Sequence, residues 1–275
     1  MRSLFSHWHL DSIMAIFLIC ICLGYFYLTH FKMVKKSIYF FAGLLLVIVS
    51  VGSPLRFLAE NYLMSAHMAS HVILLLIASP LLVMGISNTD DKVLRRFSEI
   101  LVKFPWLPWM AGVCIMWFWH IPSVFNRLFE SQDTNDFNSL NNLHFLQNIH
   151  LISLILCGIL FSWPVIGPVT SLRIAPLNAV LYLSGACIFC SVLGLLITFA
   201  PTGVYTGFIH PQDHFGYLNL IRNEGGISAA VDQQIAGLIM WVPGCLIYLT
   251  GSMYLLMKWF KQRDPVTLST HNKTA

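Results

Sequence analysis

The chain alternates long apolar runs with short polar breaks. Stretches of about 20 apolar residues, the length a helix needs to cross a bilayer, are centred on residues 10–30, 37–57, 64–87, 106–123, 143–163, 176–201 and 233–257. The pattern predicts an all-α polytopic membrane protein, a seven-transmembrane-helix bundle forming one domain over residues 1–258. A polar tail at 259–275 follows and is expected to be disordered. The first run begins near Arg2 like a signal peptide, but it reaches full spanning length and lacks a small-residue cleavage site, so a retained first span is expected.

Composition agrees with this reading. With 57% hydrophobic and 10% charged residues there is too little polar surface to cover a soluble core. Charge then sets the orientation, because Lys and Arg stay on the cytoplasmic side during insertion. Lys32, Lys35, Lys36, Lys92, Arg95, Arg96, Lys103, Arg173, Lys258, Lys261, Arg263 and Lys273 fall on one side, against Arg2, Arg56, Arg127 and Arg222 on the other. The N-terminus is therefore expected outside and the C-terminus in the cytoplasm. This topology accounts for the net charge of +4, so membrane lipid is the expected surrounding and a nucleic-acid partner has no support.

The topology places nine of the eleven histidines on the outer side, leaving His30 and His271 inside. Most telling is Met64-Ser-Ala-His67-Met68-Ala-Ser-His71 at the opening of span 3. At helical spacing Met64, His67, Met68 and His71 share an arc of about 100°, which puts two imidazoles and two thioethers on one face. Imidazole suits copper, zinc and iron, while thioether narrows the preference toward Cu(I). Span 4 repeats the pair as Met116 and His120 at i,i+4, with Trp117 and Trp119 read as an interfacial belt. Span 5 brings His144 and His150, only one of which can face the others in a regular helix; His150 is the deeper. Asp232 opens span 7 at the same depth, where it could ligate a metal or orient a ligand histidine. Copper is the expected metal and zinc the alternative.

Two other features stand apart from this face. Pro80 and Pro243 each release a backbone carbonyl, so spans 3 and 7 are expected to kink. All seven cysteines lie within spans, where no disulfide framework is expected, and Cys187-x-x-Cys190 is read as packing. The connection from Thr202 to Val231, with His210, Asp213 and His214, is long enough to act as a lid or docking segment over the outer face.

Several of these residues resemble a known family. Met64-x-x-His67-Met68-x-x-His71 with Ala78-Ser79-Pro80-Leu81-Leu82 and Gly85, Trp119-His120-Ile-Pro122, Phe161-Ser-Trp163-Pro164, and above all Asp232-Gln-Gln-Ile-Ala-Gly-Leu-Ile-Met-Trp-Val-Pro-Gly244 are similar to the CtaG-type cytochrome c oxidase assembly factors. The resemblance covers spans 2 to 7. It implies a multi-pass protein of the bacterial plasma membrane that serves maturation of caa-type oxidases, with copper delivery as the expected task. It also implies a site built from the outer histidines of spans 3, 4 and 5 with Asp232. Span 5 departs from the family pattern, since Gln147 and Asn148 stand between His144 and His150.

The expectation is thus a non-enzymatic metallochaperone for respiratory chain biogenesis. It would pass copper to oxidase subunits carrying copper centres, from a periplasmic or extracellular copper donor. A zinc-dependent seven-helix membrane hydrolase is the alternative, with Ser65 or Ser70 and Asp232 as reacting groups. A haem-binding membrane cytochrome is a third reading.

Overall fold

The computed structural model describes residues 7–29, 35–86, 91–129, 137–209, 213 and 215–271; the outer-loop histidines His210 and His214, and His30, lie outside the described residues. The described chain is helical, without strands. In order it forms α1 (Ser12–Thr29), α2 (Ser37–Gly52), α3 (Pro54–Asn61), α4 (Met64–His71), a π-helical stretch (Val72–Ala78), α5 (Ser79–Gly85), α6 (Lys92–Lys103), α7 (Trp106–Trp119), α8 (Pro122–Phe129), α9 (Phe137–Ile166), α10 (Pro176–Phe199) and α11 (Ala229–His271). Five helical segments are long and apolar enough to cross a membrane, and up to seven if each of two bent pairs is one span.

The bends follow from local chemistry. After Gly52 the Ser53 side chain accepts the Leu55 N–H at 3.1 Å and Pro54 takes the first helical position, so the chain restarts as α3 at 45° to α2. Asp91 caps α6 by accepting from Val93 and Leu94 N–H, and Pro105 separates α6 from α7, which turns away by 79°. Pro80 distorts span 3 differently from a simple kink. Residues 72–78 widen to π spacing, with the Ser79 N–H reaching Leu74 O, and Ser79 Oγ donates to Leu74 O at 2.7 Å and to Ile155 O of α9 at 3.1 Å. A wide turn thus lies directly below His71, held by a hydroxyl from its own helix. Pro243 breaks nothing: α11 runs through it as one helix and continues to His271, so the stretch expected to be a disordered tail is helical well beyond Lys258. Backbone bonding on both sides of one missing N–H carries the helix through, since a single proline removes only one donor.

α10 and α11 pack along their lengths with their backbones in close approach. A Cβ on Gly237 would fall 2.1 Å from Thr198 Oγ1 and 2.7 Å from the Gly194 carbonyl, so only glycine admits this contact. At the other side of the bundle Arg56 is buried, not the exposed loop cation its position suggested. It donates to Asp11 at 2.6 Å, Glu60 at 2.7 Å and the Val51 carbonyl at 3.1 Å, while Asn148 donates to Asp11 at 3.2 Å. These bonds tie the head of α1, the α2–α3 bend and α9 together at the end of the bundle that holds the histidines. Two carboxylates and a carbonyl compensate the burial of the guanidinium.

Candidate metal centre

Four imidazoles from three helical segments meet inside the bundle. His67 and His71 come from α4, His120 from the end of α7 and His150 from α9; they are 5%, 0%, 2% and 3% exposed. One ring nitrogen from each of His67, His71 and His150 lies within 4.8 Å of the other two. The His71 and His150 Nε2 atoms are 2.7 Å apart, and the His71 ring centroid lies 5.0 Å from that of His120. Bonds of about 2.0–2.1 Å around a tetrahedral ion separate ligand nitrogens by roughly 3.4 Å, so side-chain adjustment alone would gather the three on one ion.

The donor set has open valences. Among the described residues His67 Nε2 and His71 Nδ1 are buried without a hydrogen-bond partner. A buried polar atom left unpaired costs about 1–3 kcal/mol, so two in one chamber are available to a ligand. His120 carries the same message in sharper form. Its Nδ1 faces the Met116 carbonyl, which can only accept, so Nδ1 bears the proton. In the neutral ring Nε2 is then a bare lone pair, yet it lies 3.1 Å from the Met68 thioether sulfur, which is also an acceptor. Two lone pairs aimed at one another suit a soft cation placed between or beside them.

The walls are aromatic. His67 meets Phe125 and Phe129 edge-on at centroid distances of 5.5 and 4.8 Å, and Trp119 meets His150 at 4.9 Å. Trp119 is therefore not part of an interfacial belt. It is buried, with its indole N–H donated to Ser153 Oγ at 2.9 Å. Tyr205 roofs the chamber from the long α10–α11 connection, donating to the His120 carbonyl at 3.2 Å. Phe125 and Phe129 were not singled out in the sequence. The i,i+4 phenylalanines after Pro122 were the available signal, and only tertiary packing shows what they cover.

The remaining sequence candidates divide. Met68 and Met116 belong to the chamber, one through its sulfur and the other through the carbonyl that orients His120. Met64 is buried at the head of α4, where it lines a cavity of about 40 Å³ with Tyr205, Phe208, Asp232 and Gln233. His144 is exposed and lies apart from the triad. It lines a vestibule of about 1000 Å³ with His7, His9, Asp11, Arg56 and Glu60, because six residues along α9 turn it to another face than His150.

Among the described residues Asp232 makes no direct hydrogen bond to the imidazoles. Its carboxylate accepts from the Met64 N–H at 2.7 Å, the Ser65 N–H at 3.1 Å and the Ser65 hydroxyl at 2.5 Å. Leu63, at the cap position of α4, has no side chain able to accept, so α11 supplies the cap from another helix. The carboxylate also meets the positive end of the α4 dipole.

The described residues of the α10–α11 connection are tied down at several points. Arg222 donates to the Ile227 and Phe208 carbonyls, and Tyr62 donates to Asp213 at 2.9 Å. Burial would raise the Asp213 carboxyl, but the Tyr62 hydroxyl and the N–H groups of Leu218 and Tyr217 hold it below the usual value.

Residues 24–262 match the family model described as cytochrome c oxidase caa3 assembly factor, and the chain belongs to that family. No curated protein and no solved structure matches it.

Proposed function

We propose that this member of the cytochrome c oxidase caa3 assembly factors takes Cu(I) as cargo in the histidine chamber and passes it to a copper-bearing subunit of the oxidase. Family membership supplies the process and implies an oxidase as partner. The observation that carries the chemistry is the facing pair of His120 Nε2 and Met68 Sδ beside the unpartnered nitrogens of His67 and His71. Thioether with imidazole is a donor set that favours Cu(I) over harder ions.

In this reading His67, His71, His120 and His150 hold the ion, Met68 supplies a soft and exchangeable contact, and Met116 fixes the His120 ring. The aromatic walls exclude water. The Lys and Arg distribution turns the histidine end of the bundle to the outside of a bacterial plasma membrane, where a copper donor and an external copper centre can both reach it. Tyr205 and the loop held by Arg222 cover the way in, so release requires that cover to lift.

The hydrolase alternative assigns reacting roles to Ser65 or Ser70 and Asp232. Asp232 and Ser65 are bonded to one another at the head of α4, and Ser70 Oγ donates to the Ala66 carbonyl at 3.2 Å. Elemental analysis of purified protein with Cu(I) and Zn(II) offered together separates the readings. Copper retained in the wild type and lowered by one ion per chain in a His67→Ala/His71→Ala variant supports the proposal. Tightly held zinc with no copper overturns it.

A further inference from the structure

The thiols read as packing in the sequence form an ordered cluster once α11 lies against α10. Cys187 Sγ donates to Cys245 Sγ at 3.4 Å, and Ser191 Oγ lies 3.0 Å from Cys245 Sγ. Ser191 donates its single hydroxyl proton to the Cys187 carbonyl at 2.7 Å, so the Cys245 S–H must point toward Ser191 Oγ. Cys245 sulfur is therefore the hub of a ring of bonds running Cys187, Cys245, Ser191 and back to Cys187. Cys190, one turn along α10, faces away toward the Met240 carbonyl at 3.5 Å. The sequence could not show this pairing, because Cys245 lies 58 residues from Cys187.

We infer that Cys187 and Cys245 form a second soft-metal site that holds one Cu(I) ion between α10 and α11, separate from the histidine chamber. Sulfur ligands select Cu(I), and a site with two sulfurs and one hydroxyl offers too few donors for the four-coordinate shell that zinc takes. Metal–sulfur bonds of about 2.3 Å around a three-coordinate ion spread two sulfurs to roughly 4 Å, a small opening from the observed separation. Binding breaks the Cys245 S–H bond as the S–Cu bond forms, and the proton leaves to solvent. Cys187 stays protonated and donates a lone pair, no electron is transferred, and the assembly of Cu(I) with one thiolate is neutral. Neutrality matters in a bilayer, where a buried net charge is costly. Ser191 can turn its hydroxyl from the Cys187 carbonyl to the new thiolate, exchanging a neutral hydrogen bond for a charge-assisted one.

The site lies deeper than the chamber entrance. Cys245 follows Asp232 by 13 residues on one continuous helix, about 20 Å along its axis at 1.5 Å per residue. Met240 is fully buried between these two levels, in the same apolar core as Met68, Met116 and Cys187. Soft side chains thus run from the histidine level toward the thiols.

The test is Cu(I) titration of the full-length, detergent-purified chain under anaerobic reducing conditions, with X-ray absorption and the ultraviolet thiolate-to-copper band as readouts. Wild type is expected to show both nitrogen-rich and sulfur-bound copper. His67→Ala/His71→Ala should lose the first and keep the thiolate band, whereas Cys187→Ser/Cys245→Ser should lose the band and keep the nitrogen-bound ion. Cys190→Ala, which leaves the ring intact, should retain both, and size-exclusion elution reports on folding of each variant. A thiolate band that persists in Cys187→Ser/Cys245→Ser, or that is missing from the wild type, overturns the inference without touching the histidine proposal.

Discussion

The Asp232 carboxylate accepts the Met64 N–H at 2.7 Å, joining the last long helix to the first turn of the helix that carries His67 and His71. Asp232 is thus a helix cap contributed from another helix. Its role is positional: it fixes where α4 begins, and so the depth and rotation at which both imidazoles enter the chamber.

Asp232→Ala leaves two N–H groups and a hydroxyl unpaired at a buried helix end, a loss of about 1–2 kcal/mol, and Asp232→Asn recovers part of it. Thermal unfolding in detergent should shift down for both variants, with copper affinity reduced but copper still bound. Complete loss of copper at an unchanged unfolding temperature would instead make Asp232 a ligand.

The two histidines of α9 should behave oppositely. His150→Ala removes the partner of His71 and is expected to lower Cu(I) affinity by at least tenfold, a change of about 1.4 kcal/mol. His144→Ala changes a residue of the vestibule and should leave the affinity within twofold. Competition against a Cu(I)-specific chelator measures both.

Met68→Leu is close to volume-conserving and should cost less than about 1.5 kcal/mol in stability. It removes the sulfur facing His120 Nε2, so Cu(I) affinity should fall while Zn(II) affinity stays the same. Equal losses for both metals in parallel titrations would deny the thioether any selective role.

The α10–α11 connection should loosen in acid. Asp213 titrates below the usual carboxylate value in the folded chain, so its contribution is present above that value and is lost as pH falls through the lowered one. Limited proteolysis within residues 202–228 should therefore speed up only below about pH 4, the ordinary carboxylate range. Asp213→Asn should be cleaved faster at neutral pH as well.

Much of this architecture was legible in the apolar runs, because a bilayer forces backbone bonds to close within each segment and so fixes helix length. The convergence of His67, His71, His120 and His150 was legible from depth, once charge had set an orientation. What could not be read were features that depend on how helices face one another. Trp119 was misplaced because rotation about a helix axis is set by packing. Asp232 was taken for a metal-site group because a cap supplied by a distant helix has no local signature. The Ser79 hydroxyl at the π turn below His71 also reaches Ile155 in α9, a contact across 76 residues. Cys245 joined Cys187 for the same kind of reason.

The central claim is that His67 and His71 hold Cu(I). Copper retained per chain after Cu(I) loading and desalting tests it most directly, in a Cys187→Ser/Cys245→Ser background where only the histidine chamber contributes. One copper per chain is expected with His67 and His71 intact, falling to none in the His67→Ala/His71→Ala variant of unchanged elution and helical content. An unchanged copper content in that variant would contradict the account.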